Sequence, residues 1–160
     1  MNKKNKEILQ ELYIKHLRLS YPTFPEYAIP MEKFSDSSAN ELTKTICKFI
    51  TYIGGQAERI SNQGQYRDCK KVVTDVLGRQ RTIGSGQWTK GQGTNGTADI
   101  SAVYRGKSFK IEVKFGKDRM SEAQHKYKEI IEKAGGIYMI ARDFDTFIDE
   151  FREICKPQAK

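Results

Sequence analysis

The sequence predicts an α/β domain built in three layers, and three observations carry that expectation. Residues 99–104 and 110–115 alternate in polarity with a period of two across a short glycine-containing link, amphipathic helical runs lie on both sides of this pair, and a short continuous apolar run follows the second helix. The order from residue 38 is helix, strand, long excursion, strand, strand, helix, strand, around a mixed central sheet. An N-terminal helical extension is expected over 1–36. The main domain is expected over 37–160, with a basic, glycine-rich insertion at about 62–96.

Residues 4–20 carry Ile8, Leu9, Leu12 and Leu17 at helical spacing, with basic residues opposite. Pro22, Pro25 and Pro30 then impose an irregular connection to about residue 35. A second helix is expected over 38–53, with Leu42, Ile46, Phe49, Ile50 and Ile53 on one face and Gly54-Gly55 as its stop. Ser38-Ala39-Asn40-Glu41 fits a capping box at its start. Residues 56–61 read as a strand; Arg59 would hold a phosphate oxygen if it faces the acids described below, and is otherwise an ordinary surface arginine.

Periodicity is lost over 62–95, although 72–77 fit either a short strand or a short helix. Long stretches of this kind inside a compact domain are usually functional or contain structure of their own. Arg67, Lys70, Lys71, Arg79, Arg81 and Lys90 occur here with Tyr66 and Trp88, a mixture suited to nucleic acid, of which Arg79, Arg81 and Lys90 are the candidate contacts. Trp88 could equally close the core. Further on, Ser121-Glu122-Ala123-Gln124 opens a helix to about residue 134, with Tyr127, Ile130, Ile131 and Ala134 inward. Gly135-Gly136 ends it, 137–141 form a buried strand, and a last amphipathic helix over 145–154 turns Phe147, Ile148, Phe151 and Ile154 inward.

The central pair of strands carries the chemistry. With Arg105-Gly106 as a two-residue hairpin loop, Tyr104 pairs with Lys107, Ala102 with Phe109, Ile100 with Ile111, and Asp99 with Glu112. One register therefore keeps every apolar pair on one face and puts two carboxylates opposite each other, with Cβ atoms roughly 4.5–5.5 Å apart. Left alone, those charges repel and raise one pKa. A hard divalent cation such as Mg²⁺ resolves the conflict. Lys114, on the same face, would orient or deprotonate an attacking water, or offset charge building on a phosphate.

The chain has 160 residues, enough for one domain with an adequate core. It carries 28 Lys+Arg against 20 Asp+Glu, a net charge of +8, which suits a polyanionic partner or a generally solvated basic surface. No apolar run approaches membrane-spanning length and the lysine-rich start lacks a signal-peptide core, so a cytoplasmic protein with no membrane association is expected. Cys47, Cys69 and Cys155 lack C-x-x-C spacing and read as reduced thiols. His16 and His125 lie far apart, which discounts histidine chemistry. Gly91-Gln92-Gly93-Thr94-Asn95-Gly96 matches G-x-G-x-x-G, but a strand rather than a helix follows and no Walker A signature is present. These glycines read as a flexible approach to Asp99, either letting a phosphate backbone come close or serving as a plain loop.

Asp99 followed by Glu112-Val113-Lys114 resembles the D…(D/E)-x-K signature of the PD-(D/E)XK nuclease superfamily. With Gly96-Thr97-Ala98-Asp99-Ile100, Ser121-Glu122-Ala123-Gln124 and Gly135-Gly136, residues 38–141 most resemble its VRR-NUC branch. Ala98 stands where the superfamily's name puts a proline. The resemblance implies a restriction-endonuclease-like αβββαβ core and a Mg²⁺- or Mn²⁺-dependent DNA endonuclease. Asp99, Glu112 and the Val113 carbonyl would be metal ligands. Glu41 sits where related nucleases carry a further acid, either a ligand through water or only a helix cap. Lys114 would position or activate the nucleophilic water, and Gln124 would help hold that water or the scissile phosphate, or only cap its helix. Standalone members resemble junction resolvases, which implies a homodimer acting on branched DNA such as four-way junctions. A sequence-specific or general nuclease, and a DNA-binding module without cleavage, are the alternatives.

Overall fold

The computed structural model describes residues 1–61, 64–89, 91 and 93–156. They form two compact units, one of residues 1–60 and 95–160 and the other of residues 61–94.

The larger unit begins with α1 (Lys3–Ser20), whose first turn is capped by the Asn2 side chain, and which ends at Tyr21 immediately before Pro22. Leu9 is fully buried and Tyr13 nearly so, in the same apolar cluster as α2 (Ala39–Tyr52). Ser38 caps α2 by accepting from the Glu41 N–H, and Gly54, at φ +88°, ends it. Leu42, Ile46, Phe49 and Ile50 are its buried face, as their spacing predicts.

Four strands make the central sheet: β1 (Gln56–Arg59), then, beyond four short strands of the smaller unit that are numbered in chain order, β6 (Ile100–Tyr104), β7 (Lys107–Val113) and β8 (Ile137–Ala141). Their order is β1-β6-β7-β8, with β8 parallel to β7 and the other neighbours antiparallel. Arg105 and Gly106, at φ 48° and 73°, form the hairpin loop, and the register is the one expected: Tyr104 with Lys107, Ala102 with Phe109, Ile100 with Ile111. The parallel step to β8 needs a crossover, which α3 (Glu122–Lys133) supplies.

On one face of the sheet Ile100, Ala102, Phe109, Ile111 and Met139 pack with α1, α2 and α4 (Phe144–Ile154). The Phe49 ring stands edge-on to Phe144, Phe147 and Phe151 at centroid distances of 5.6, 6.2 and 5.7 Å. On the other face lies α3, through Tyr127 against Tyr138 (6.3 Å) and Gln124 against Glu112. The arrangement is the three-layer α/β one.

Two expected core residues of α3 are exposed: Ile130 and Ala134. The half-buried stripe is Ala123, Gln124, Tyr127, Lys128 and Ile131, and at 100° per residue Ile130 lies about 60° round the helix from Tyr127, just past the edge of the stripe that Ala123 marks. Ala134 is the C-cap, at the end of the helix.

The smaller unit is a two-stranded ribbon. β2 (Gln65–Asp68) pairs antiparallel with β5 (Gly86–Thr89), and β3 (Lys71–Thr74) with β4 (Gln80–Ile83). Both ladders share one register, continuous through Asp75 and Arg79 at the turn, and pairing lapses between them at Gly84 (φ +93°). Segment 72–77 is thus strand and then turn. Trp88 does not close the core: it is 67% exposed, opposite Tyr66, with its ring over Gly64.

Candidate active site

The site is built where β6 begins and β7 ends. The backbone ladder between them stops at Ile100 and Ile111, and at the next position the Asp99 side chain takes over: its Oδ2 accepts from the Val113 N–H at 2.9 Å. The Asp99 carbonyl accepts from Ile60 N–H at 2.8 Å, so both neighbouring strands pin this residue. Glu112 projects from β7 on the same face as Lys110 and Lys114, the parity that alternation predicts.

Glu112 is 2% exposed and Lys114 4%. One carboxylate oxygen, Oε1, takes two donors, Lys114 Nζ at 3.1 Å and Gln124 Nε2 in a short hydrogen bond. Lys114 Nζ also meets Asp118 Oδ2 at 3.3 Å. Burial pushes the Glu112 carboxyl above its ordinary range, Lys114 pulls it back, and the Asp99 charge pushes it up further, leaving it raised. Burial works against the charge on Lys114, but the hydrogen bond and charge of Glu112, with those of Asp118, outweigh it, and its pKa is raised. Lys114 is therefore held as an ammonium, which suits it to orient a water or meet phosphate charge rather than to remove a proton.

The second oxygen, Glu112 Oε2, is buried and makes no hydrogen bond of good geometry, and the same holds for the Tyr138 hydroxyl, which interacts with this carboxylate. Burial, then the charges of Glu112 and Asp99, with the phenol's hydrogen-bonding interaction with Glu112 added, drive the Tyr138 phenol well above its usual range. Sequence reasoning placed Tyr138 only as part of a buried strand; its position opposite Lys110, on the acids' face, becomes visible only once β8 is laid beside β7. Lys110, bonded to Ser101 Oγ at 2.6 Å, and Asp118 are the other charged neighbours that the motif did not single out.

A buried carboxylate oxygen without a well-formed donor is a costly feature that a cation would offset. The donor set, two carboxylates with a backbone group at Val113, suits a hard oxygen-loving ion such as Mg²⁺ or Mn²⁺. Among the described residues no three His, Cys, Asp or Glu side chains converge, so water and substrate oxygens would complete the shell.

Gln124 has two roles at once. Its Oε1 accepts from Ser121 N–H at 2.8 Å and Ser121 Oγ accepts from Gln124 N–H, completing the capping box, while Nε2 holds Glu112. It is a positioning residue for the acid. Gln124→Ala is expected to weaken cation binding about tenfold and to cost about 1 kcal/mol of stability, read by Mn²⁺ titration and urea unfolding.

Gly96 explains how the Asp99 loop reaches this helix. At φ +79°, a Cβ built there would lie 2.3 Å from the Ala123 carbonyl oxygen and 2.7 Å from the Gln124 nitrogen. The close approach is to the start of α3, rather than the flexible loop expected at this glycine. Gly96→Ala should cost about 1–3 kcal/mol and lower cleavage, while Gly106→Ala, with open space around it, should be felt only through its φ.

Other predicted site residues have no described hydrogen bond to this cluster. Glu41 is turned to Ser37 and Ser35, whose hydroxyls hold its pKa low, and no described hydrogen bond joins it to the Glu112 cluster. Arg59 pairs with Ile100, and residues directly opposed across strands share a face. It therefore sits on the helix-covered side, bonded to Asn40 Oδ1 at 2.6 Å, while Glu58, opposite Ser101, takes the acids' side. Arg79 and Arg81 are exposed on the ribbon, and Lys90 lies outside the described residues.

No family model and no curated protein sequence matches this chain.

Proposed function

We propose that this chain is a divalent-cation-dependent DNA endonuclease of the PD-(D/E)XK type, VRR-NUC branch. The observation that carries the reading is Glu112: buried, gripped on one oxygen by Lys114 and Gln124, and without a well-formed hydrogen bond on the other, beside Asp99. Asp99 and Glu112 would hold the cation, with the Val113 carbonyl as a third protein ligand; Glu41, held by Ser35 and Ser37, would reach it only through water. When bound, Mg²⁺ or Mn²⁺ supplies Lewis-acid stabilisation of the charge developing on the phosphate. Lys114 holds the attacking water in line with the phosphodiester and adds a fixed positive charge to the site. Gln124 keeps the Glu112 carboxylate in its rotamer. The products are a 5′-phosphate and a 3′-hydroxyl.

The preferred substrate is branched DNA, cut by a homodimer that sets two sites for paired nicks. Sedimentation that gives monomer both alone and on DNA would remove this specialisation and leave the chemistry intact.

The test is cleavage of end-labelled four-way junction, flap and linear duplex with Mg²⁺, Mn²⁺ or EDTA, native chain against Asp99→Asn. Cation-dependent cutting, lost in the variant and fastest on the branched substrates, is expected. Equal rates on every substrate point to a general nuclease. Binding without product in any cation refutes the enzyme and leaves a DNA-binding module.

A further inference from the structure

The ribbon of residues 64–89 has features that the proposed chemistry does not use. A lone two-stranded hairpin is marginal in water, and almost every residue of β2 to β5 is exposed. Residues 61–94 nevertheless carry six Lys or Arg against two Asp, half of the chain's net charge of +8. On the β3-β4 segment, Lys71 and Arg81 share a face, since Lys71 opposes Ile83 and Arg81 opposes Val73.

The tip is apolar and is held by a hydrogen-bonded turn. Val76 is fully exposed and Leu77 73% exposed. Asp75 organises the turn beneath them: its Oδ1 accepts from Leu77 N–H at 2.9 Å and Arg79 N–H at 2.8 Å, its carbonyl accepts from Gly78 N–H, and its own N–H donates to Arg79. Two aliphatic side chains held in water by an ordered turn, with cations on the strands behind them, suit a partner that is anionic along its length and apolar where it ends.

We propose that the ribbon is a branch-point reader for double-stranded DNA, an inference that rests on the DNA reading above. Lys71, Arg79 and Arg81 lie along the phosphates of one arm. Val76 and Leu77 rest on the open face of the base pair that borders the branch. In a continuous duplex every base pair is stacked on both sides, and a wedge must first separate a step at a cost of a few kcal/mol. At a branch that face can be offered without unstacking, so the same tip favours branched over linear DNA. B-form DNA also has a groove wide enough for a two-stranded ribbon, whereas the major groove of duplex RNA is too narrow.

The test uses the full chain in EDTA, where binding is read without cleavage, by fluorescence anisotropy on a four-way junction and a linear duplex over a range of KCl. The double variant Val76→Ser/Leu77→Ser should lower the junction-over-linear preference about tenfold with the salt slope unchanged. Arg79→Gln/Arg81→Gln should reduce the slope of log K against log salt by about 1.8 on both DNAs and keep the preference. Trp88, the chain's single tryptophan and part of this ribbon, reports by its emission that each variant keeps the ribbon, with Leu77→Ala as the milder tip variant. A tip variant with native preference, an arginine variant with native slope, or equal affinity of the native chain for duplex RNA overturns the proposal. Cleavage in Mg²⁺, scored separately, distinguishes the two readings: a chain that cuts while its ribbon variants bind as the native does remains a nuclease without a branch reader.

Discussion

Lys114→Met is expected to slow DNA cleavage by about two to three orders of magnitude, the range seen when one preorganised charge is removed from a phosphate or oxyanion site. The loss should fall on kcat more than on KM, because the ammonium is directed at the water and reacting phosphate rather than at distant parts of the substrate. A second effect comes from the same atom. With Lys114 gone, Glu112 keeps its burial and loses its cationic partner. Breaking such a pair on one side costs about 3–5 kcal/mol. That cost depends on pH with a definite sign. Glu112 already has a raised folded pKa, from burial first and the Asp99 charge as well, and losing Lys114 raises it further. Between the unfolded carboxylate value and this raised value the folded chain holds a proton that the unfolded chain has released, so the variant's stability falls as pH rises through that window. Urea unfolding in EDTA should therefore show a small deficit near pH 4.5 and a large one at pH 8. Glu112→Gln/Lys114→Met should recover most of it. A variant that cuts at the native rate, or whose deficit is the same at both pH values, contradicts these roles.

Phe151→Ala should be the most damaging single change to the fold. Phe151 is 1% exposed and lies against Phe109 (5.0 Å between centroids), Phe147 (5.6 Å), Tyr104 (5.6 Å) and Phe49, so it joins α4 to the sheet and to α2. Truncating a phenylalanine in such a position costs about 3–5 kcal/mol, or a fall of roughly 10 °C in Tm for a chain of this size. Far-UV circular dichroism follows this loss through the helices. Trp88 emission follows the ribbon, which shares none of these rings, and a Trp88 signal unchanged while the helical signal melts early would show the units unfolding separately.

The central hairpin was legible because one face had to be apolar: any slip of one residue would have put Ile100 and Ile111 in water with the acids inside. The same alternation put Glu112 and Lys114 together. It did not reveal Tyr138, whose neighbours come from a parallel strand paired across a crossover, nor the second use of Gln124 as the hand on Glu112. The face that Arg59 takes was not legible, because strand parity between β1 and β6 depends on a register that no turn sets. Ile130 looked inward because it lies just past the edge of the half-buried stripe of α3. Beyond the short strand or helix allowed at 72–77, the ribbon was unreadable for a plainer reason: its strands are almost wholly exposed, so neither face needs to be apolar and the period-2 signal is absent even though the backbone is extended.

The measurement that bears most directly on the central claim is titration of Mn²⁺ into the full chain, followed by electron paramagnetic resonance, for the native protein, Asp99→Asn and Glu112→Gln. The account predicts bound Mn²⁺ in the native chain, displaced by Mg²⁺ and lost or much weakened in each variant. A native chain that takes up no Mn²⁺, or variants that bind it as the native does, would mean that Asp99 and Glu112 do not form a cation site.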